Sequence, residues 1–265
     1  LETNSSESLC DGKIQDTENK FFSWSSDGCK TVVALKIDGK TDIYLLDIKT
    51  KSLTKITEKS AGYYEPTLSP DGTKIAYGYK KSAFDVFGKP SGLYLMNVDG
   101  SNPTMINQAD RIDSIFWSPD SISLAYVPCH IVSYKNSEGY TTSKAYYSIY
   151  LFNPGEMKHG KKLADTGTNA VFPVWSPDGM KLAFTHGFVV NVLISGQKKP
   201  LKIKIPYATG DPSWSPDSKM IACVGYPALL TQNASIYIAS LEDAQIIKLT
   251  DNSNESLPTL APLHK

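Results

Sequence analysis

The chain has 265 residues, of which 41% are hydrophobic, so it is long enough to bury a sizeable core. Lys+Arg and Asp+Glu both number 27, which leaves no net charge to attract nucleic acid or an anionic membrane surface. No apolar run reaches the roughly 18 residues that a membrane-spanning helix requires, so we expect no direct membrane insertion by this chain.

The amino-terminal segment, residues 1–20, is polar and lacks the apolar core of a signal peptide. The chain does not begin with Met, which favours removal of a preceding segment and export. Two roles stay open for residues 1–20: outer strands beside the last repeat, or a seal on a five-bladed ring. A disulfide between Cys10 and Cys29 is also left open, whereas Cys129 and Cys223 are interpreted as small apolar residues at the ends of inner strands.

A short turn motif recurs along the chain about every 40 to 60 residues. Its copies are "WSSDG" from Trp24, "LSPDG" from Leu68, "WSPDS" from Trp117, "WSPDG" from Trp175 and "WSPDS" from Trp214. Pro presets φ, Asp bonds to nearby backbone, and Gly adopts the left-handed conformation that joins two antiparallel strands. Ser121 and Ser218 replace that Gly, so we expect left-handed backbone there at a cost of about 1 kcal/mol each.

Each motif is preceded by a short apolar run and followed by three alternating segments, for example "KIAYGY", "GLYLMNV" and "PTMIN" in the second repeat. This pattern predicts four antiparallel strands per repeat, and no window has helical periodicity. The Trp residues before the turns are expected to be buried between neighbouring sheets, which pack best as a ring. The predicted repeats cover 21–64, 65–113, 114–171, 172–210 and 211–256, with a partial sixth at 257–265.

The repeated "WSPDGMKLAF"-type motif, followed by an "IYL" strand and an "LT" strand, resembles the repeats of TolB-like β-propellers over residues 21 to 256. The resemblance implies an all-β fold, a β-propeller with five complete four-stranded blades in a single domain. A partial sixth blade formed by the termini is an open alternative, since only "LPTLAPL" from Leu257 repeats the motif again. TolB-like proteins are protein-interaction scaffolds, so the resemblance also implies a scaffold function.

The motif turns are short and uniform, whereas the connections at the opposite ends of the strands vary in length, which favours function there. The longest are 80–92 and 128–147, and both are predicted as loops. Aromatic and acidic residues in these connections and at the starts of the first strands form the predicted binding rim. The rim consists of Tyr63, Tyr64, Glu65, Phe84, Phe87, Asp113, Tyr134, Tyr140, Tyr207, Asp211 and Tyr226. The alternative is that many of these tyrosines pack their own loops.

Catalytic signatures are weak in this sequence. It contains no Gly-x-Ser-x-Gly nucleophile elbow, and its four histidines are not at metal-ligand spacing, so no metal, cofactor or catalytic residue is predicted. The repeated aspartates are interpreted as turn residues, because five equivalent turns around a ring do not converge on one site. Glu65, Asp113 and Asp211 are the candidates for a carbohydrate-cleaving alternative, which uses paired carboxylates.

These observations predict a non-enzymatic, monomeric recognition propeller, in the periplasm or outside the cell, that binds a protein or a polysaccharide. It is either free-standing or tethered to a membrane through a segment before Leu1. The alternatives are a carbohydrate-active enzyme and the substrate-filtering domain of a larger hydrolase. If the rim binds the ligand, the double substitution Tyr64→Ala and Asp211→Ala is expected to abolish binding with little change in melting temperature.

Overall fold

The computed structural model describes residues 14–17, 22–37, 40–57, 62–81, 90–156, 159–168, 173–186, 188–197, 199–206, 209–226, 234–243 and 245–250. Within these ranges the chain forms 20 β-strands and no helix. No described helix therefore has the length and apolar character of a transmembrane span. The strands form five four-stranded antiparallel sheets.

The first two sheets have the strand orders β1-β2-β3-β4 and β5-β6-β7-β8. The first contains β1 (Ile14–Thr17), β2 (Lys30–Ile37), β3 (Lys40–Asp47) and β4 (Ser52–Lys55). The second contains β5 (Tyr63–Leu68), β6 (Lys74–Tyr79), β7 (Gly92–Asn97) and β8 (Thr104–Gln108). The first strand of the first sheet comes from the amino-terminal segment, because Ile14–Thr17 pairs with β2.

The remaining sheets follow the same sequential order along the chain. The third contains β9 (Arg111–Trp117), β10 (Leu124–Lys135), β11 (Thr141–Phe152) and β12 (Lys161–Gly167). The fourth contains β13 (Val174–Trp175), β14 (Lys181–His186), β15 (Val189–Ile194) and β16 (Leu201–Ile203). The fifth contains β17 (Thr209–Trp214), β18 (Met220–Gly225), β19 (Ser235–Ser240) and β20 (Ile246–Lys248).

The chain divides into two compact units. The first unit comprises Leu1–Trp117, Pro128–His130 and Phe152–Lys161, and so contains the first two sheets. The second comprises Ser118–Val127, Ile131–Leu151 and Lys162–Lys265, and so contains the last two sheets. The partial sixth repeat predicted at 257–265 lies outside the described residues, so the choice between five and six blades stays open.

The five motif turns share one set of hydrogen bonds. In the second repeat, the Ser69 hydroxyl donates to Asp71 Oδ1 (2.6 Å) and accepts from the amide of Lys74 (2.9 Å), while Asp71 Oδ1 accepts from the amide of Thr73 (3.0 Å). The same three bonds recur in the motifs of Ser25, Ser118, Ser176 and Ser215. The repeated aspartate is therefore a turn residue, as predicted.

The fifth motif position, which follows Asp, has left-handed backbone in all five turns. Gly28, Gly72 and Gly179 have φ values of 67°, 72° and 71°, and Ser121 and Ser218 have 63° and 61°. The prediction for the two serines is confirmed. Ser218 has a second role, because its hydroxyl accepts the amide hydrogen of Asp178 in the neighbouring turn (3.0 Å).

Successive sheets within each unit pack face to face. In the first unit, Val32 and Ile43 of the first sheet form a cluster with residues of the second, including Leu68 and Ile75. In the second unit, the cluster joins the fourth and fifth sheets. The inner strands are consequently buried over most of their length rather than at every second residue, for example β6 and β18. A sheet covered on both faces loses the polar face that alternation provides.

Two of the four tryptophans bridge neighbouring sheets through their indole nitrogens. Trp117 Nε1 donates to the carbonyl of Thr67 (3.3 Å), and Trp214 Nε1 donates to the carbonyl of Val174 (3.0 Å). The prediction of burial is wrong for Trp24, whose side chain is 47% exposed. Trp117 and Trp214 each contact the preceding repeat through these bonds.

Two further expectations concern the third repeat and the cysteines. Residues 128–147 do not form a long loop, because β10 and β11 are 12 residues each and continue as a hairpin whose tip is at 136–140. The loop was predicted from the length of the connection, but a long connection can also be a hairpin that extends the two strands. Cys129 and Cys223 are buried free thiols, as predicted, while Cys10 lies outside the described residues.

Candidate functional site

The sheets have two kinds of end. We call the ends formed by the five motif turns the turn ends. The opposite ends of the same strands, where second strands connect to third strands and one sheet passes to the next, are the loop ends. Tyr63 and Arg111 begin first strands at the loop ends, and Lys80 follows a second strand there. In the first unit these positions surround two clefts.

The first of these, which we call the Tyr64 cleft, has a volume of about 330 Å³. Its walls come from the first strands of the second and third sheets, the end of β6 and the start of β3. It is lined by Thr41, Gly62, Tyr63, Tyr64, Glu65, Lys80, Arg111 and Ile112. Three of the predicted rim residues, Tyr63, Tyr64 and Glu65, thus lie in one cleft.

Glu65 has an unusual backbone conformation for a residue that precedes proline. Its φ is 48°, in the left-handed region, although steric contact with Pro66 normally favours an extended conformation. The pairing of β5 with β6 shifts register between Tyr64 and Thr67, so a β-bulge lies at this point. Bulges redirect side chains and are common beside functional sites. The bulge places a carboxylate in the wall of the cleft.

Tyr64 is fixed by contacts on both sides. Its hydroxyl oxygen accepts the amide hydrogen of Ile112 in β9 (2.7 Å), and its ring lies so close to Gly78 that a Cβ there would be 2.4 Å from it. Burial raises the pKa of Tyr64 to about 12. These contacts contradict the expectation that Tyr64→Ala would leave the melting temperature almost unchanged, because Tyr64 joins the second sheet to the third.

Tyr63 also has a packing role. Its ring lies 5.6 Å from that of Tyr77 and 5.8 Å from that of Tyr79, centroid to centroid. Both partners are buried in the core cluster of the first unit, and Tyr63 packs against that cluster. Tyr63 and Tyr64 therefore both have packing contacts, Tyr63 with the core cluster and Tyr64 with Gly78 and Ile112.

Asp113 is buried behind the Tyr64 cleft rather than in its lining. Its carboxylate forms an ion pair with Arg111 (Nη2 to Oδ1, 2.8 Å), in which the Asp113 side chain is 6% exposed and the Arg111 side chain 49% exposed. The cationic side chain thus presents itself to the cleft while its counter-ion lies inside. Arg111 and Lys80 also line the cleft but were not among the predicted rim residues. Their location follows from the strand ends, because Arg111 begins β9 and Lys80 directly follows β6.

A second cleft, which we call the His130 cleft, has a volume of about 490 Å³ in the first unit. It is lined by Lys81, Pro90, Ser91, Gln108, Ala109, Asp110 and His130. Lys81 and Asp110 follow and precede the Tyr64-cleft residues Lys80 and Arg111 directly in sequence, so the two clefts are neighbours. None of these seven residues belongs to the predicted rim.

The remaining predicted rim residues are distributed over other elements. Tyr134 and Tyr140 lie on the β10–β11 hairpin, where Tyr140 is 70% exposed and Lys144 Nζ lies 5.7 Å from the centre of the Tyr134 ring. Tyr226 follows β18 and donates its amide hydrogen to the carbonyl of Pro206 (3.0 Å). Asp211 lies in β17, but its side chain is outside the described part of the structure, as are residues Phe84, Phe87 and Tyr207.

Acidic, histidine and cysteine side chains do not gather into a metal site in the described ranges, where no group of three or more could hold an ion. The motif aspartates have their carboxylates occupied by the turns. Hydrogen bonds from the Ser25 hydroxyl and the Cys29 amide lower the pKa of Asp27, and equivalent bonds from Ser215 and Lys219 lower that of Asp217. Asp27 and Asp217 are thus structural groups of their turns.

No family model matches this chain. A stretch of 87 residues is 33% identical to the Tol-Pal system protein TolB of Francisella tularensis subsp. tularensis (strain WY96-3418), a match that covers 32% of this chain and 19% of that relative. The chain thus spans about a fifth of the length of the curated relatives it matches.

Solved structures of similar fold cover most of the chain. A protein from Agrobacterium tumefaciens described as a TolB aligns with a TM-score of 0.52 at 21% identity, over 87% of this chain and 79% of that one. The β-propeller domain of the trilobed protease from Pyrococcus furiosus gives 0.59 at 16% identity, over 91% and 72%. An oligogalacturonate lyase in complex with manganese gives 0.60 at 18% identity, over 86% and 64%.

These likenesses establish the fold. The chain is an all-β propeller whose blades are four-stranded antiparallel sheets, and it resembles TolB in sequence over 87 residues and in fold over most of its length. Both predictions are confirmed.

Proposed function

We propose that this chain is a non-catalytic recognition propeller that binds a protein partner at its loop ends. The observation that carries the proposal is the Tyr64 cleft, in which acidic and basic side chains lie next to the packed rings of Tyr63 and Tyr64. Tyr64 and the buried Asp113 hold the frame, and Glu65, Lys80 and Arg111 are the groups that meet the partner. Such a preformed cleft with a few placed polar groups is typical of binding sites.

The similarity to TolB supports a protein as the partner. The matched relative is named as a component of the Tol-Pal system, and we propose that this chain acts in the periplasm or outside the cell. The chain has no net charge, so the partner is recognised by local contacts rather than drawn in by a long-range field. We further propose that it acts as a monomer and that the exposed Tyr134 and Tyr140 contribute to the contact.

The state of the acids supports a non-catalytic role. A general acid or base requires a carboxyl group within reach of the substrate and a pKa suited to proton transfer. Asp113 is instead buried in an ion pair with Arg111, and the motif aspartates are bound within their turns. These contacts argue against Asp113 as one of the paired carboxylates of the carbohydrate-cleaving alternative, for which Glu65 and Asp211 were the other candidates.

A polysaccharide is the second candidate ligand. The polar lining of the His130 cleft, with hydrogen-bond donors and acceptors side by side, favours it. The protein partner and the polysaccharide occupy different clefts in this account.

Site-specific photo-crosslinking tests the protein partner. A photoreactive amino acid replaces Lys80 in the Tyr64 cleft, and in a matched variant it replaces Met180, an exposed residue at a turn end. We expect a discrete protein adduct in cells from the Lys80 variant and none from the Met180 variant, with equal melting temperatures. An adduct from Met180, or none from Lys80, would refute the proposal.

A further inference from the structure

The β10–β11 hairpin projects beyond the strands that flank it. Each of its strands has 12 residues against seven in β9 and seven in β12, so at least five residues of each hairpin strand extend past its neighbour. On the β11 side, the Ser148 hydroxyl donates to Asp165, two residues before the end of β12 (2.8 Å). In the described sheets, no strand on that side accompanies residues 141–145, the part of β11 next to the hairpin tip.

The hydrogen bonds of the hairpin determine which backbone groups of β11 point outward. The amide of Asn136 donates to the carbonyl of Tyr140 (2.9 Å) at the tip, and the hydroxyls of Ser133 and Ser143 lie 2.8 Å apart, which places the two serines opposite each other. Hydrogen-bonded and non-hydrogen-bonded pairs alternate along an antiparallel ladder. Counted from the tip, Ser133 and Ser143 form a non-hydrogen-bonded pair, so the N–H and C=O of Ser143 point away from β10. The same direction holds two positions before and after Ser143.

Both faces of the projecting hairpin are exposed to solvent. Val132, Tyr134 and Tyr146 lie on one face and have exposed side chains, and Ile131, on the other face, is exposed as well. An isolated two-stranded hairpin is only marginally stable in water, and a third strand adds stability. The projecting part of the hairpin would therefore be stabilised by an additional strand.

The outer edge of β11 has little protection against strand addition. Proteins commonly protect exposed edges with charged side chains, proline or bulges. Residues 141–145 read "TTSKA", without proline and with Lys144 as their one charged residue. The ammonium group of Lys144 lies 5.7 Å from the centre of the Tyr134 ring, so the charge is directed across the hairpin toward β10 rather than over the outer edge. The two β-branched threonines favour an extended, paired backbone.

We propose that the outer edge of β11, residues 141–145, binds an extended segment of the protein partner as an additional β-strand. The inference rests on the proposed function, because it names a second place where that partner is held. Backbone hydrogen bonds hold the segment, and side chains at alternate positions provide the selectivity. On one face the segment places an apolar side chain beside Tyr146 and an acidic one beside Lys144, and on the other face it places a polar side chain beside Ser143.

Photo-crosslinking from three positions tests the geometry of this contact. A photoreactive amino acid replaces Thr141, Ser143 or Ala145 in separate variants of the full chain, and the crosslinked peptides are sequenced by mass spectrometry. We expect the three sites to map to one segment of one protein, in order and about two residues apart, because paired strands advance together. An acidic residue should lie between the sites reached from Ser143 and Ala145. Sites scattered over several segments, or no adduct from any of the three positions, would overturn the proposal.

Two proline substitutions provide a matched comparison. Ser143→Pro removes an amide that points to the outer edge of β11, and Ser133→Pro removes the equivalent amide on the opposite edge, at β10. With the photoreactive residue at Thr141, we expect Ser143→Pro to reduce the adduct yield about tenfold, since a backbone hydrogen bond is lost, and Ser133→Pro to leave it unchanged. Equal melting temperatures would show that both variants are equally folded. Equal adduct yields from the two variants would contradict strand addition at β11.

The Lys80 adduct, measured in the same two proline variants, separates this inference from the proposed function. A Lys80 adduct that persists while the Thr141 adduct is lost only in Ser143→Pro supports two contacts with the partner. If the Lys80 adduct forms and the hairpin gives none, this inference falls and the protein-recognition proposal stands. Ordered hairpin adducts without a Lys80 adduct support the β11 edge and refute the cleft. Hairpin adducts between two copies of this chain would overturn the assignment to a partner protein.

Discussion

The turn ends and the loop ends of the same strands differ in how their structure is determined. Each turn end is built by a Ser, an Asp and a left-handed residue within five positions, and the bonds are the same in all five repeats. At the loop ends the described segments vary more: β5 has a left-handed bulge at Glu65, and β10 and β11 form an extended hairpin. The repeated local bonds make the turn ends a structural frame, whereas the loop ends can vary from one repeat to the next.

The turn ends also bond to one another within each unit. The amide of Ser26 donates to the carbonyl of Pro70 (2.6 Å) in the first unit, and the amide of Asp178 donates to the Ser218 hydroxyl (3.0 Å) in the second. Neighbouring sheets are thereby joined at their turn ends as well as through their cores. Substitutions at the turn ends and at the loop ends are therefore expected to change stability by different amounts.

The largest effect is expected at Tyr64, a loop-end residue that belongs to the frame. Tyr64→Ala removes a packed ring and the acceptor for the Ile112 amide, so we expect a loss of about 3–5 kcal/mol in the free energy of unfolding, measured with denaturant. Tyr64→Phe retains the ring and should lose about 1–2 kcal/mol. Tyr140→Ala, at an exposed tyrosine, should change it by less than about 0.5 kcal/mol.

Equal losses for Tyr64→Ala and Tyr140→Ala would show that Tyr64 is a free surface residue, as the sequence had suggested. Tyr64 would then not contribute to the structural frame.

The next largest effect is expected at a motif serine. Ser69→Ala removes the hydroxyl that donates to Asp71 and accepts from the Lys74 amide, so we expect a loss of about 2 kcal/mol in the free energy of unfolding. The loop-end control is Ser133→Ala, which removes an exposed bond to the Ser143 hydroxyl and should cost less than about 0.5 kcal/mol. A similar cost at both serines would contradict the assignment of the motif as frame.

A smaller effect separates two glycines with similar geometry. Gly28 at a turn end and Gly139 at the hairpin tip have φ values of 67° and 83°, and a Cβ at either would meet nothing within 4 Å. Gly28→Ala should cost about 1–2 kcal/mol of global stability, because only the backbone conformation is penalised. Gly139→Ala carries the same local penalty. If the hairpin tip opens independently, however, this substitution should lower the global free energy of unfolding by less than about 0.5 kcal/mol. Equal losses in the free energy of unfolding for Gly28→Ala and Gly139→Ala would show that the hairpin unfolds in the same cooperative unit as the turn ends.

The turn ends were predictable from sequence because their structure is local. Ser121 and Ser218 were assigned left-handed backbone from their place in the motif alone, and both have it. Five copies of one motif also predicted the blades, since each copy marks the hairpin between a first and a second strand. The indole bonds of Trp117 and Trp214 follow the same repeat.

The loop ends were less predictable because their contacts join distant parts of the chain. The Arg111–Asp113 ion pair lies within one strand, but its burial depends on the neighbouring sheet, and the Tyr64 hydroxyl meets an amide 48 positions away. The exposure of Trp24 and the strand structure of the hairpin likewise depend on which neighbours are present. The sequence predicted that the loop ends vary and that Tyr63, Tyr64 and Glu65 lie there. It did not predict that Lys80, Arg111 and His130 line clefts.

Native-state hydrogen exchange tests the distinction between frame and recognition end most directly. The amides of Thr73, Lys74, Met180 and Lys181, which donate to motif Ser or Asp oxygens, should exchange about a hundredfold or more slowly than the amides of Glu138 and Tyr140 at the hairpin tip. Equal exchange rates at the two ends, or faster exchange in the turns, would contradict the account.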